Sequence, residues 1–395
     1  MRKKDLLTTT GTLALFALFG SPASTLGPAA GAAQETLGQP VATQAEAFGL
    51  ISGVRELSDG SVLVADPLGG MLVKLDPSLG GMEKIGREGE GPGEYRQPDG
   101  IWPIGGDRSL LVDLGNARLT VVEADGTLGE DTPIVLPSGG GGLGGMMMAI
   151  PRGTDDAGNV YFQGSAYGPG GARDTIEVYR VDLAVGEPEI VTMVRAPEMT
   201  VQESGGANNQ SVSVQQVPMG KADTWGVARD GSIYIARVGD YSVEYVRASG
   251  SSRTGDPIDY RPVRIGGDEK QEWDDERARN GGIQISVSVQ NGQRRMQMGR
   301  SAGDRADLER QPWPDTKPPF TNGRIRIDSA GNGWVRRSMP AGEASFYDVF
   351  NTLGEHVKTV SLPDDRILIG FGNGTLYTAR IDEFDQQFLE KYDLP

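Results

Sequence analysis

The sequence predicts an all-β fold, a six-bladed β-propeller with a partly helical insertion between blades four and five. Three observations support this prediction. One short pattern recurs six times along the chain, glycine is frequent at 58 of 395 residues, and stretches with the apolar period of an amphipathic helix are nearly absent.

The recurring pattern is an apolar stretch, a turn that contains glycine, and then alternating apolar residues. Asp-Gly, Ala-Gly-Asn and Gly-Asn-Gly supply the positive-φ residues that a tight hairpin requires. A third strand follows each hairpin, and a fourth often follows it. One such meander cannot bury its apolar face alone, whereas six meanders around an axis bury each other. A pair of β-sandwiches would show no single repeated unit. The six copies begin at Val54, Trp102, Ile150, Trp225, Ile325 and Ile367.

Two segments outside the repeats complete the predicted architecture. The stretch Pro40–Ala47 precedes the first hairpin, and we expect it to add an outer strand to the last blade and close the ring. The segment Asp268–Arg279 has an aspartate cap followed by good helix formers. It predicts a short helix within a long insertion, at about 262–323.

The first residues resemble an export signal. Arg2, Lys3 and Lys4 precede the apolar run Leu13–Phe19, and the small residues Gly31–Ala33 follow it. We therefore expect a signal peptide at 1–33 and a propeller domain at 34–395, with no stable membrane insertion once the signal is cleaved. A retained membrane anchor is the competing interpretation. With no cysteine in the chain, these features predict a monomer in the periplasm or the exterior.

The charge of the chain excludes some partners. The formal net charge is −16. Nucleic acids and anionic membranes are bound mainly through lysine and arginine, so neither is an expected partner. A protein, a peptide or a carbohydrate-like molecule remains as the expected ligand class.

One repeat resembles a known family. The stretch LLVDLGNARLTVVEADG (Leu110–Gly126) is similar to an NHL repeat, in the places held by Asp113, Gly115, Asn116, Arg118 and Leu119. The stretch IGREGEGPGEYRQPDGI (Ile85–Ile101) matches the connector between blades of that family at Gly93, Glu94, Tyr95 and Pro98. The chain thus resembles the secreted bacterial six-bladed propellers of the NHL and TolB-like type. The resemblance implies the fold more strongly than an activity, because most of those proteins have none assigned.

The glycine-rich stretch Ile85–Ile101 is not expected to cradle a phosphate. No helix follows it, and Glu88, Glu90 and Glu94 would repel an anion. We expect a structural connector between blades one and two. The pair Asp113 and Arg118 is likewise expected to tie a hairpin together rather than to act on a substrate. The methionines in Gly139–Arg152 could bind soft copper, but a mobile loop leading into an inner strand is favoured.

Catalytic chemistry has little support in the sequence. His356 is the only histidine, and we expect it on a solvated edge, unlike the histidines on which the lyases among NHL-type propellers rely. No Gly-x-Ser-x-Gly elbow is present. A calcium-dependent lactonase would need oxygen ligands from inner strands. The candidates show no recognisable ligand spacing: Glu56, Asp99, Asp223, Asn322 and Asp364.

The long connectors all leave the propeller on one face, since each blade begins at its inner strand and ends at its outer strand. Loops on one face of a rigid scaffold usually carry the function. We therefore predict a ligand site at the channel mouth of that face, suited to an anionic, sugar-like or peptide ligand. The alternative is that these side chains only fill and neutralise the channel. The predicted residues are Arg55, Tyr95, Arg96, Asp99, Trp102, Arg152, Trp225, Arg324 and Arg326.

These observations favour an exported, non-catalytic propeller that acts as a binding or scaffold protein. No catalytic residue and no cofactor are predicted, although calcium is possible. The alternative is a calcium-dependent, lactonase-like hydrolase or lyase with an axial site. A third possibility is a factor that assembles envelope complexes.

Overall fold

The computed structural model describes residues 33–137, 146–168, 170–204, 211–290, 293–301, 303 and 305–395. Its body is a ring of six β-sheets of at least four strands each, which confirms the predicted six-bladed propeller. The chain first forms two short strands, β1 (Ala33–Thr36) and β2 (Ala42–Thr43). In these ranges there is no helix with the length and hydrophobicity needed to cross a membrane.

Blades one and two are four-stranded antiparallel meanders. Blade one contains β3 (Gly53–Glu56), β4 (Val62–Asp66), β5 (Met71–Leu75) and β6 (Met82–Ile85). A parallel pair in the connector follows, β7 (Arg87–Glu88) and β8 (Glu94–Tyr95). Blade two contains β9 (Pro98–Pro103), β10 (Ser109–Asp113), β11 (Arg118–Val122) and β12 (Leu128–Pro133).

Blades three and four carry extra hairpins. The connector hairpin β13 (Val135–Pro137) and β14 (Met146–Met148) leads to blade three, which contains β15 (Gly153–Thr154), β16 (Val160–Gln163), β19 (Thr175–Val181) and β20 (Glu189–Arg195). Between β16 and β19 lies the small hairpin of β17 (Tyr167–Gly168) and β18 (Gly171–Ala172). A further hairpin, β21 (Met199–Ser204) and β22 (Ser211–Gln216), precedes blade four, which contains β23 (Thr224–Val227), β24 (Ile233–Arg237), β25 (Ser242–Val246) and β26 (Ser252–Thr254).

The insertion separates blades four and five. It contains the helix α1 (Gly267–Asn280), as predicted, and the hairpin β27 (Gly282–Gln290) and β28 (Gln293–Ser301). Blade five contains β29 (Arg326–Ile327), β30 (Gly333–Arg336), β31 (Phe346–Phe350) and β32 (His356–Ser361). Blade six contains β33 (Arg366–Phe371), β34 (Thr375–Ile381) and β35 (Gln387–Asp393).

The beginning of the chain closes the ring. Strand β2 pairs with β35, so Ala42 and Thr43 lie opposite Lys391 and Glu390 and supply the fourth strand of blade six. This pairing confirms the outer strand that the sequence predicts in Pro40–Ala47. Strand β1 adds a fifth, parallel strand to blade five against β32, which the sequence pattern does not indicate.

The core lies between the blades. The buried apolar residues form six clusters, and each cluster joins two neighbouring blades. Leu63 and Leu72 of blade one, for example, pack with Ile101 and Leu111 of blade two. The second strands β4 and β10 are buried along their whole length. Their central residues are apolar, because a neighbouring blade covers each face of the strand.

The recurrent aspartates explain why the hairpin pattern repeats. The carboxylate of Asp328 accepts hydrogen bonds from the amides of Ala330 (2.9 Å) and Asn332 (2.8 Å) and from the Trp334 indole nitrogen (2.9 Å). Asp155 accepts a bond from the Tyr161 hydroxyl in the same way. Each carboxylate thus fixes a turn and anchors an aromatic side chain of the next strand.

The Asp-Leu-Gly-Asn-Ala-Arg motif of blade two holds the connector from blade one. Asp113 accepts hydrogen bonds from the amides of Arg96 (3.1 Å) and Gln97 (3.0 Å). Asn116 donates to the Gly89 carbonyl (2.9 Å), and Arg118 donates to the Glu94 carbonyl (2.7 Å). The glycine-rich stretch Ile85–Ile101 is therefore a connector between blades, and the motif satisfies its backbone.

His356 is not the solvated edge residue that the sequence suggests. Its side chain is only 9% exposed and lies 3.3 Å from the buried carboxylate of Asp348. Its Nε2 atom is also 3.1 Å from the Thr359 hydroxyl. The expectation was wrong because blade four covers this edge, where Tyr241 donates a hydrogen bond to the same carboxylate.

Candidate functional site

A cavity of about 590 Å³ lies on the propeller axis. We call it the axial cavity. Its size falls within the range of sites for small molecules. Apolar side chains of inner strands form much of its wall, including Ile101, Ile367 and Ile369. The polar and aromatic side chains that line it are Ser52, Asp99, Trp102, Arg152, Gln163, Asn280, Arg300, Arg324 and Arg326.

Three of the arginines in the axial cavity lack a carboxylate partner within the described part of the chain. The guanidinium of Arg324 lies over the Trp102 ring, 4.3 Å from its centroid, and that of Arg152 lies 5.3 Å from the Trp225 ring centroid. Arg326 donates from Nε to the Ile369 carbonyl (2.9 Å). Aromatic faces and one carbonyl orient these cations without neutralising them.

The surroundings of these arginines disfavour their positive charge. Burial lowers the pKa of Arg152, and the Nε atom of Arg152 is buried without a hydrogen-bond partner. Burial also lowers the pKa of Arg324, and the charges of Arg326 and Arg152 lower it further, whereas Asp99 raises it. Burial is the first cause of the lowered pKa of Arg326 as well. An anion placed between these groups would relieve this unfavourable electrostatics.

The insertion lies against the connector-face end of the axial cavity. Arg300, near the end of β28, forms an ion pair with Asp99 of blade two. Its guanidinium also donates to the Asn280 carbonyl at the end of α1 (3.1 Å). The Gln97 side chain binds the backbone of Arg300 at both its amide (2.6 Å) and its carbonyl (2.5 Å). These contacts fix the base of the β27–β28 hairpin to blade two, next to the cavity.

Five of the nine predicted ligand-binding residues line the axial cavity, and they are Asp99, Trp102, Arg152, Arg324 and Arg326. Arg96 does not line the cavity. It is exposed on the connector side, where it pairs with Glu90 (2.8 Å). The binding role of these residues stays a prediction.

The placement of the other three differs from the prediction. Tyr95 is fully buried between blades one and two, where its hydroxyl donates to the Ile85 carbonyl (2.9 Å). Trp225 is also fully buried, and its ring packs against the guanidinium of Arg152. Arg55 donates to the Gly106 carbonyl (2.7 Å) in a hairpin turn, at the opposite face of the propeller. Position in an inner strand or a connector could not distinguish these three, because it does not say which end of the strand, or which side of it, a side chain occupies.

Sequence reasoning missed the residues that the insertion brings to the cavity. Asn280, Ile283 and Arg300 line the axial cavity, although they lie in the segment predicted only as a long excursion. The one signal in the sequence for these residues was the length of the insertion, which lies on the face that carries the long connectors. It could suggest a covering element, but not which side chains would reach the axis.

The side chains of the axial cavity do not suit a calcium ion. Its carboxylate Asp99 is paired with Arg300, and three further guanidiniums would repel a divalent cation. Among the other candidate ligands, Glu56 is bound by Tyr377 and Asp223 by Arg237. Neither these two nor Asn322 and Asp364 line the axial cavity. Across the described residues, no group of three or more acidic or histidine side chains has a metal-binding arrangement.

The first part of the predicted loop Gly139–Arg152 lies outside the described ranges, which lack residues 138–145. Met147 and Met148 pack against the apolar cluster between blades two and three, and Met148 lines the axial cavity. Their positions are those of apolar wall residues.

Similarity to known proteins is found at the level of solved structures, at 10–12% sequence identity. No family model matches the chain, and no curated protein does. Among solved structures, a member of the duf4221 family from Bacteroides vulgatus is 10% identical, with a TM-score of 0.46, over 90% of this chain and 97% of that one. The calcium-binding protein regucalcin from Agrobacterium tumefaciens is 11% identical, with a TM-score of 0.40, over 92% and 96%. A streptogramin B lyase is 12% identical, with a TM-score of 0.38, over 89% and 87%.

Proposed function

We propose that this six-bladed propeller is an exported, non-catalytic binding protein that holds a small organic anion in its axial cavity. The observation that carries the proposal is the set of three half-buried arginines in one cavity, Arg152, Arg324 and Arg326, which have no carboxylate partner among the described residues. A protein that only needed to fill its channel could do so with apolar side chains at less cost. Unpaired cations in a cavity of this size favour a ligand that supplies the counter-charge.

Among the anionic, sugar-like and peptide ligands that the sequence leaves open, the geometry favours an anion. A carboxylate or phosphate would receive charge-assisted hydrogen bonds from the guanidiniums, each stronger than a neutral bond. A neutral sugar would leave the three positive charges uncompensated. The anion is therefore favoured over the carbohydrate-like ligand, and the strongly acidic chain as a whole remains a poor partner for nucleic acid.

Calorimetric titration with succinate, citrate and glucose tests this function. We expect the two carboxylates to bind and glucose not to bind. The variants R152Q, R324Q and R326Q should each weaken carboxylate binding about tenfold or more, since a hydrogen bond to a charged group contributes roughly 1.5–3 kcal/mol. R96Q is the matched control, because Arg96 is an exposed arginine paired outside the cavity. Equal affinities for glucose and the carboxylates, or equal losses in R96Q and R324Q, would overturn the proposal.

The alternative of a calcium-dependent hydrolase or lyase is less supported, because the acidic side chains that could hold the ion are paired or dispersed. A chelator should leave the melting temperature unchanged if the channel holds an anion. A fall of several degrees that added calcium reverses would favour the metal-dependent alternative. Export to the periplasm or exterior, and the NHL or TolB-like type of the propeller, are parts of the proposal that rest on the sequence.

A further inference from the structure

Two further cavities lie beside the axial cavity, towards the connector face. A groove of about 450 Å³, which we call the outer groove, lies between α1 and the loop 337–345 of blade five. A smaller space of about 170 Å³, which we call the passage, lies between the outer groove and the axial cavity. Glu276, Thr321, Gly323 and Arg336 line both the groove and the passage. Asn280, Arg324 and Arg326 line both the passage and the axial cavity. The three spaces are therefore neighbours in the order outer groove, passage and axial cavity, and we call this series the path.

The charged side chains of the outer groove are mostly neutralised by each other. Lys317 pairs with Glu272 at 3.1 Å, and Arg336 pairs with Glu276 at 2.9 Å. Glu269 accepts hydrogen bonds from the amides of Gly266 (3.0 Å) and Ala341 (3.2 Å). Because these groups are already bound, they have little free capacity to hold a charged ligand.

Apolar side chains form one part of the wall of the outer groove, and they are Pro218, Met219, Trp273, Pro318, Met339, Pro340 and Ala344. Uncharged polar side chains form another part, and they are Gln216, Thr321, Asn322, Ser338 and Ser345. Methionine and tryptophan side chains adapt well to apolar ligands. The outer end of the path therefore offers apolar surface and ion-paired charges, whereas its inner end contains the guanidiniums of Arg324 and Arg326, which have no carboxylate partner in the described ranges.

We propose that the ligand is an amphiphilic organic anion, with its anionic group on Arg324 and Arg326 and its apolar body extending through the passage into the outer groove. This inference rests on the proposed anion-binding function and specifies the ligand of that same site. A small, fully polar anion would use only the axial end of the path. An apolar extension gains affinity in proportion to the apolar surface that the groove removes from water.

Titration of the full-length protein with acetate, hexanoate and dodecanoate, each below its micellar concentration, tests the inference. We expect affinity to rise with chain length, by at least tenfold from hexanoate to dodecanoate. The variant M339W, which places a larger side chain in the groove, should weaken dodecanoate at least tenfold and leave acetate unchanged. The hydrogen bond from the Lys317 ammonium to the Met339 backbone carbonyl (2.8 Å) does not involve the replaced side chain. A344F is a second variant at the groove wall, for use if M339W is poorly folded.

M193W is the matched control, because Met193 is an exposed methionine on the outer strand of blade three and does not line the groove. It should bind all three probes as the unchanged protein does. R324Q should weaken the three probes by a similar factor, since all three place a carboxylate on the same group.

Equal affinities for hexanoate and dodecanoate would overturn the inference, as would groove variants with no effect on dodecanoate. A loss of acetate but not of dodecanoate in R324Q would also overturn it, because the carboxylate of the long probe would then lie elsewhere. In each of these cases, arginine-dependent binding of succinate or citrate would leave the proposed function standing. If no carboxylate of any length depends on Arg152, Arg324 or Arg326, the proposed function itself fails.

Discussion

At the scale of residues, the arginines of the axial cavity and the buried Asp348 differ in how their charges are compensated. The arginines of the axial cavity lie over aromatic rings or against a carbonyl, and no described carboxylate pairs with them. Asp348 is instead fully buried and fully satisfied. It accepts hydrogen bonds from Arg337 (2.9 Å), Thr359 (2.8 Å) and Tyr241. The first arrangement is suited to an external counter-ion, whereas the second joins blades four and five.

Replacement of Asp348 tests the structural role of the second arrangement. Asp348→Asn keeps the shape but leaves the Arg337 guanidinium without its counter-charge in a buried site. We expect the free energy of unfolding to fall by about 3–5 kcal/mol. Urea denaturation measures this loss, with the exposed Asp256→Asn as the control, which should change stability by less than about 0.5 kcal/mol.

The same carboxylate makes stability depend on pH. Burial alone would raise the pKa of Asp348, but the hydrogen bond with His356 and the charge of Arg337 outweigh it and lower the pKa to about 2. An unfolded aspartate has a pKa of about 3.9. The stabilisation is therefore complete above that value and is lost as the pH falls towards 2. We expect the stability difference between the wild type and Asp348→Asn to shrink over this range; parallel curves from pH 5 to pH 2 would contradict the assignment.

At the scale of elements, the insertion is the feature that shapes the candidate site. Helix α1 ends at Asn280, and the chain then turns directly into the β27–β28 hairpin. The base of that hairpin is fixed to blade two through Arg300, Asp99 and Gln97. One side of α1 forms the wall of the outer groove. The insertion thus bounds both the axial cavity and the groove, although it belongs to none of the six blades.

Removing the contacts of Arg300 should loosen this element without unfolding the propeller. In the double variant Q97A and R300Q, the side-chain bonds to Asp99 and to the backbone of the hairpin are lost. We expect amide hydrogen exchange in Gly282–Ser301 to accelerate at least tenfold, and exchange in the buried strand β10 to stay unchanged. R96Q serves as the control. Acceleration spread equally over all blades would show that these bonds stabilise the whole ring instead of the insertion.

At the scale of the whole molecule, the ring is closed by a short strand from the beginning of the described chain. Strand β2 covers the outer edge of blade six through bonds from Val41 to the Lys391 carbonyl (2.7 Å) and from Gln44 to the Leu389 carbonyl (2.8 Å). Strand β1 pairs with β32 of blade five. The Glu35 carboxylate of β1 also forms an ion pair with the Lys358 ammonium of β32 at 2.9 Å. Two consecutive pieces of chain therefore bind two different blades and cover strand edges that would otherwise be open.

Truncation separates the contributions of these two strands. A chain that begins at residue 40 lacks β1 but keeps β2, whereas a chain that begins at residue 45 lacks both. We expect the second truncation to lower the melting temperature by several degrees more than the first, since each kcal/mol corresponds to about 2–4 °C in a domain of 150–250 residues and less in a larger one. Thermal unfolding followed by circular dichroism measures both. Equal melting temperatures would show that β2 does not contribute to closure.

The fold could be read from the sequence because its determinants are local and repeated. Turn residues such as Gly231 and Gly331 adopt the positive φ that the hairpins require, at 80° and 87°. Asp113 and Asn116 bind the connector from the preceding blade, at residues 16 and 27 positions earlier in the chain. The helix of the insertion also has a local signature, in its acidic first turn and good helix formers. Each of these features depends on residues close in sequence, so the pattern itself contains the information.

The sequence by itself determined the six repeated meanders, the closing strand, the helix and the face that carries the long connectors. Only the tertiary structure decided which side chains meet at the axis. It removed Arg55, Tyr95 and Trp225 from direct access to the cavity, placed His356 in a buried cluster, and brought Arg300 and α1 to the channel. The physical reason is that these contacts join residues up to about two hundred positions apart, such as Gln97 and Arg300. Turn chemistry and strand alternation fix conformation within a blade, whereas the packing of the insertion against the assembled ring depends on all six blades being in place.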